Sequence, residues 1–496
     1  MGNNDTTKEI LVATAQQAWD ELELRHLEHL SETMPHRVEA IIESQGCMFN
    51  NLPAFAVALL AGSAAAIDFK INDEQSIKDA AAITAFNTMS TYTSNMTGNV
   101  PGKLDGTWWR GAVLFQTMIE YWYFTGDSSN NKAVSQGMYW QRGDNDYFPT
   151  NYSQYLGNSD QIAWGLAAMT AAELEYTEDS SKPSWLTLAD GVFQSQIARW
   201  DTKSCDGGLR WQIFPYQNGY AIKNAMSNGG LFQLSARLAR YTKNQTYSDW
   251  AEKIWDWSAS VPILNTAEWT IGDTVDVESN CKTHQDLQWT YSYGEYISGA
   301  AYMYNLTNGE TSKWKSGLDG LLNTSFHKFF PEKYGGKIMV EISCETVKTC
   351  DQDQEVFKGL FASDLAAVTR MAPHTKSEIL QRLQGSAVGA AKQCSGGDNG
   401  TVCGQQWYKA KWDGTTSMEA QLSATSLFTS NLVAFKHIIL ATKNTSTSTS
   451  TPQNTSSTPT KTQGEATSGT KDNGGNFLRS QFGSIGLVLL ISVLVL

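Results

Sequence analysis

The chain reads as one large all-α domain, and three observations carry that reading. Between residues 67 and 443 apolar residues recur at three- and four-residue spacing, without the strict alternation of a half-buried strand. Clusters of Gly, Asn, Asp and Ser punctuate the pattern at intervals that suit helices. No run of alternating β-branched residues is long enough for a sheet core, and no Gly-rich phosphate loop follows a strand.

The clearest helical segments are residues 161–176, 228–241, 247–259, 291–304 and 416–440. Between them lie Gly126-Asp-Ser-Ser-Asn-Asn, Thr242-Lys-Asn-Gln, Thr307-Asn-Gly-Glu and Ser395-Gly-Gly-Asp-Asn-Gly, all turn formers. Helix pairs recur roughly every 45 to 60 residues, which suits an α-solenoid or a closed toroid. The pairs share no repeat motif, so spacing alone leaves both open.

Composition narrows the function. The chain has 496 residues, a net charge of −13, 11% aromatics and 17 Trp. An acidic pI near 5.1 argues against nucleic acid and against a basic membrane-surface footprint. Trp and Tyr in such numbers fill cores, and they also line sugar sites, where pyranose C–H faces stack on the rings.

The ends point to secretion. Residues 52–66 (LPAFAVALLAGSAAA) have the length of a secretory apolar region and end in small residues that suit cleavage after Ala66. They are too few to span a bilayer as a helix. A leader starting at Met48 gives a signal peptide over 48–66. Residues 1–47 are then a gene-model extension, or else a genuine N-terminal extension. The domain proper is expected over 67–440. A Ser/Thr-rich stalk follows over 441–473, too polar to bury a core. Residues 474–496 end in an apolar tail, and with the spacer before it they form a GPI-attachment signal with Asn473 as the attachment site. Sequons at Asn95, Asn151, Asn244, Asn305, Asn323 and Asn399 agree with that route. Past residue 66 six cysteines remain, an even number in an oxidising compartment. Cys344 with Cys350 and Cys394 with Cys403 are near enough to close small loops, which leaves Cys205 for Cys281 by elimination. No spacing indicates a metal site, and no cofactor is expected.

The chemistry concentrates in Asp144-Asn-Asp-Tyr-Phe-Pro-Thr and Leu156-Gly-Asn-Ser-Asp-Gln. On physics alone Ser159 and Asp160 are good N-caps for the helix that follows. Two short side chains at a helix start also project into one cleft, where the helix dipole favours an ionised carboxylate. With Trp108-Trp109, Tyr121-Trp-Tyr-Phe-Thr-Gly-Asp127, Gly207-Gly-Leu-Arg-Trp-Gln-Ile213, Asn224-Ala-Met-Ser-Asn-Gly229 and Trp289-Thr-Tyr-Ser-Tyr-Gly294, these segments resemble fungal glycoside hydrolase family 76 in order and spacing. The family comprises α-1,6-mannanases and their cell-wall relatives.

The resemblance implies an (α/α)6 barrel with a groove for α-1,6-linked mannose, of wall mannan or of a GPI glycan. It implies an endo-1,6-α-mannosidase or transglycosylase in cell-wall biogenesis. The family carries two adjacent aspartates, nucleophile then acid/base. Here Asp160 matches the acid/base and Ser159 stands at the nucleophile's position. A hydroxyl replaces a carboxylate poorly, since its pKa is far higher and no His motif adjoins it. The residues therefore imply impaired retaining hydrolysis, unless Asp144 or Asp146 supplies the nucleophile or Asp160 works with a remote base. The alternative is a catalytically silent, mannan-binding paralogue. Other departures are Arg110 for an acidic residue after the Trp pair, Ser292 for Asn, and Gly230 for Cys. Trp108, Trp109, Asp146, Trp211, Asn228 and Tyr291 match sugar-contacting positions. His284 with Asp286 is read as a loop pair beside a disulfide. Asp351 and Asp353 are read as a solvated acidic loop rather than a calcium site.

Overall fold

Twelve long helices alternate between an inner and an outer ring in the computed structural model, which describes residues 67–104, 107–150, 153–436 and 440–442. The chain divides into two units, Met1–Thr445 and Ser446–Leu496, and the second lies wholly outside the described residues. So do the N-terminal extension, the leader, the anchor signal with Asn473, and all of the stalk beyond residue 442.

The inner ring is α2 (Trp109–Thr125), α4 (Asn158–Glu173), α6 (Ala225–Thr242), α8 (Thr290–Leu306), α11 (Phe357–Met371) and α13 (Met418–Asn431). Each packs on the next, and α13 returns to α2, closing the barrel. The outer ring is α1 (Glu74–Ser90), α3 (Asn131–Trp140), α5 (Trp185–Ala198), α7 (Gln245–Ser260), α9 (Ser312–Phe329) and α12 (Lys376–Gln393). These lie on α13, α2, α4, α6, α8 and α11 respectively. A single turn, α10 (Gln352–Glu355), introduces α11. The expected (α/α)6 barrel is the observed fold.

Burial explains the two rings. Inner helices are buried nearly all round, as α4 is past its first turn, so small residues such as Ala163, Gly165, Ala167 and Ala168 let neighbours approach. Outer helices bury one stripe: α7 buries Tyr247, Ala251, Ile254, Trp255 and Ser258. Side-chain caps start many of them. Asp73, Ser184, Asn224, Asn244 and Ser417 each accept a first-turn backbone N–H.

The predicted segments were recovered with shifted ends, to 158–173, 225–242, 245–260 and 290–306. The last is corrected: residues 416–440 form helix only to Asn431, then a 3-10 turn over Leu432–Ala434. The longest strands among the described residues have three residues. They form a three-stranded antiparallel sheet of β1 (Ile222–Asn224), β4 (Thr274–Asp276) and β5 (His284–Gln285), and two short pairs, β2 (Leu264–Asn265) with β3 (Thr270–Ile271) and β6 (Cys394–Gly396) with β7 (Val402–Cys403). Disulfides join Cys205 to Cys281, Cys344 to Cys350 and Cys394 to Cys403.

The two ends of the barrel differ. Links from inner to outer helices are short, as between Thr242 and Gln245 or Met371 and Lys376. Links from outer to inner helices are long, as between Ala198 and Ala225 or Ser260 and Thr290. They carry the sheets and disulfides, and they gather where the inner helices begin.

Candidate active site

The start of α4 is held by the loop that leads to α6. Asn158 N–H donates to the Trp211 carbonyl at 2.8 Å, and its side-chain amide donates to the Arg210 carbonyl at 2.8 Å. Arg199 Nε donates back to Asn158 Oδ1 at 2.8 Å. The helix accordingly begins earlier than the sequence pattern implies. Gly157 is the N-cap, and Ser159 and Asp160 occupy the second and third helical positions rather than the cap. Asp160 Oδ2 accepts the Gly157 N–H at 2.8 Å, so its carboxyl folds back over the helix start.

Burial pushes the Asp160 pKa up to about 6, the Gly157 N–H opposes it, and the charge of Asp353 adds to the rise. A carboxyl with that value holds a proton in mildly acidic water, as a general acid at a glycosidic oxygen must. Ser159 beside it is half-buried, and its hydroxyl makes no hydrogen bond to the protein among the described residues.

Asp353 is the residue that sequence reading misplaced. It lies in the single-turn helix α10, only partly solvated, with one carboxylate oxygen bonded to the protein. Its Oδ1 accepts from Trp109 Nε1 and from Thr107 Oγ1, both at 3.1 Å, and lies 3.5 Å from Arg110 Nε. Burial raises its pKa, while Arg110, Thr107 and Trp109 pull it down. Arg110 also pairs with the buried Glu419. Only the Asp-Gln-Asp-Gln run hinted at the site, because its partners lie at and just before the start of α2, far away in sequence. Among the described residues no cluster of His, Cys, Asp and Glu has the makings of a metal site.

The expected sugar-contacting residues separate into two groups. Trp109 lies parallel to Tyr291, with ring centroids 6.0 Å apart, and both pack against Phe357. Tyr291 in turn feels the charge of Asp160. Trp109, Tyr291, Asp160 and Asp353 thus share one end of the barrel, with the two rings forming a buried wall. Trp211 is 37% exposed on the loop that holds Asn158, with Gly219 against its ring.

The others serve the frame. Trp108 stacks on Trp164 and donates to Gln141 at 2.8 Å, inside the core. Asn228 is buried, accepting from the Leu209 N–H and donating to the Leu209 and Asn224 carbonyls, which pins the loop before α6. Asp146 accepts from Ser195 Oγ at 2.7 Å and from the Phe148 N–H at 3.1 Å. Those bonds commit it to the wall between α5 and its own loop. Asp144 is exposed nearby. His284 and Asp286 pair at 3.4 Å on the surface.

A family model, Glycosyl hydrolase family 76, matches residues 76–443. The chain belongs to that family. It is 39% identical over 364 residues to "Mannan endo-1,6-alpha-mannosidase DCW1" of Saccharomyces cerevisiae, covering 72% of this chain and 80% of that protein. It resembles the crystal structure of Dfg5 from Chaetomium thermophilum in complex with glucosamine at TM-score 0.73 and 38% identity, over 76% of this chain and 95% of that one. An inactive variant of an α-1,6-mannanase of Salegentibacter sp., in complex with α-1,6-mannotriose, shares the fold at TM-score 0.58 and 17% identity, over 72% of this chain and 99% of that one. The family 76 barrel and the resemblance read from the motifs therefore agree.

Proposed function

We propose that this family 76 chain is a mannan endo-1,6-α-mannosidase: a glycoside hydrolase that cleaves α-1,6-mannosidic bonds of cell-wall mannan or of GPI glycans. The observation that carries the reading is Asp160, a carboxyl raised to about 6 at the mouth of the barrel and influenced by a second carboxylate. The activity for which the yeast relative is named supports the same substrate class. A silent mannan-binding protein would rest on Ser159 alone, and the buried Asp160 at the acid/base position of the motif favours turnover.

The proposal extends to location. A cleaved leader, a Ser/Thr-rich stalk and a GPI anchor at Asn473 would tether the barrel at the outer face of the plasma membrane or in the wall. Among the described residues no helix is long and apolar enough to cross a membrane.

The test is product formation from α-1,6-mannooligosaccharides by the secreted wild-type chain beside a Ser159→Asp variant. Turnover by the wild type is the expected result. Silence of the wild type with activity in the variant would make this a binding protein with an intact groove.

A further inference from the structure

We propose that Trp211 and Tyr216 form a stacking track leading away from Asp160, which holds mannose units remote from the bond being cleaved, so that this chain works best on long α-1,6-mannan. The inference rests on the mannosidase reading above and deepens it by assigning the length of glycan the groove takes.

The track arises because one loop lies along another. Residues 211–222, in the link from α5 to α6, run beside residues 154–158, which lead into α4 and Asp160. Three bonds fix the alignment at two-residue steps. Asn158 N–H donates to the Trp211 carbonyl at 2.8 Å, Gln217 Nε2 donates to the Leu156 carbonyl at 3.3 Å, and Tyr216 Oη donates to the Gln154 carbonyl at 3.2 Å. Trp211 thus adjoins the start of the acid's own helix, and Tyr216 lies further back along the same segment. The four residues from Gln154 to Asn158 span at most about 14 Å, within reach of one oligosaccharide.

Both rings are supported from behind and open in front. Tyr216 is 70% exposed, and Phe214 lies parallel to it with centroids 5.4 Å apart. Half-buried Phe214 rests in turn on Phe148, at 6.4 Å. Pro215 between the two fixes its own backbone φ and limits the freedom of the loop. The Trp211 ring rests on Gly219, where a Cβ would lie 2.3 Å from Cε3 and where φ is +91°. That glycine both turns the loop and gives the indole its seat. Tyr155, in the 3-10 turn next to Gln154, is 72% exposed and adds a third ring.

Exposed aromatics gathered along one strip and braced by their own loop mark a binding groove rather than a stray surface patch. Pyranose C–H faces stack on such rings, and a polymer of identical units can meet successive rings at once. A short glycan at the acid ends before it reaches Tyr216.

The experiment compares hydrolysis of α-1,6-mannotriose and α-1,6-mannohexaose by the secreted chain, as wild type, Tyr216→Ala and Tyr216→Phe. The wild type is expected to show the higher kcat/KM on the hexaose. Tyr216→Ala should raise KM for the hexaose about 2–10-fold, the worth of one aromatic stack, and leave the triose unchanged. Tyr216→Phe should match the wild type, because the ring holds the sugar and the hydroxyl only anchors the loop. Calorimetry on Asp160→Asn, with and without Tyr216→Ala, reads hexaose affinity independently of turnover. Melting curves report that each variant is folded. Equal losses on both sugars, no loss in Tyr216→Ala, or a Tyr216→Phe as weak as Tyr216→Ala would overturn the track and leave the mannosidase reading standing. Silence of the wild type on both sugars would overturn the mannosidase reading, and a hexaose affinity unmoved by Tyr216→Ala would then overturn the track as well.

Discussion

Asp160, the acid of the proposed reaction, is governed by a balance of two effects on one side chain. Burial favours its neutral form and the Gly157 N–H favours its charge, with burial dominant and a pKa near 6 as the result. A general acid works while protonated, so kcat/KM should fall tenfold per pH unit above about pH 6. A rate flat from pH 5 to 8 would contradict the assignment. Asp160 was legible in the sequence because its motif is contiguous. Asp353 was not, since its meaning comes from Trp109, Thr107 and Arg110, which folding alone brings alongside. The same holds for Arg110 itself, read as a departure from the family and now seen paired with buried Glu419. Glu419→Ala would take from that guanidinium its buried carboxylate partner. Loss of one partner of a buried pair costs about 3–5 kcal/mol, which urea unfolding would reveal as a lower midpoint at unchanged slope.

At the level of elements, the helical periods were readable and the ends were not. The α4 pattern pointed to residue 161, and tertiary bonds from the Trp211 loop start the helix at Asn158. That loop pairs β1 with β4 and carries the Cys205–Cys281 bridge, so the site depends on a segment with no helical signal of its own. Gly230 shows the reverse case, a departure visible in sequence and explained by packing. A Cβ there would lie 2.5 Å from Ile162 Cγ2 and 2.7 Å from Glu295 Oε1, so α6 needs glycine to close against α4 and α8. Gly230→Ala should destabilise the barrel by about 1–3 kcal/mol through overpacking. Thermal melting checks it, and an unchanged Tm would contradict the packing account.

Several carboxyls along the barrel's interior and mouth are pushed towards their neutral form. Burial lifts Glu341 to about 8, Asp364 to about 7 and Asp273 to about 6. Each has a folded pKa above its unfolded value near 4, so folding favours the protonated form. The stability they contribute is complete below about pH 4 and is lost as pH rises through the folded values. Tm should therefore decline between about pH 4 and 8, and a rise over that interval would contradict the burial of these groups. Closure into six helix pairs was beyond periodicity, which equally suited a solenoid, because contacts of α13 with α1 and α2 join opposite ends of the domain. Motif resemblance supplied the closure that spacing could not.

The central claim is cleavage of an α-1,6-mannosidic bond with Asp160 as the acid. Its most direct test is product release from α-1,6-mannotetraose by the secreted chain at pH 5, beside Asp160→Asn. The account predicts shorter mannooligosaccharides from the wild type and at least a hundredfold slower release from the folded variant. Equal rates in the two proteins, or intact substrate in both, would contradict it.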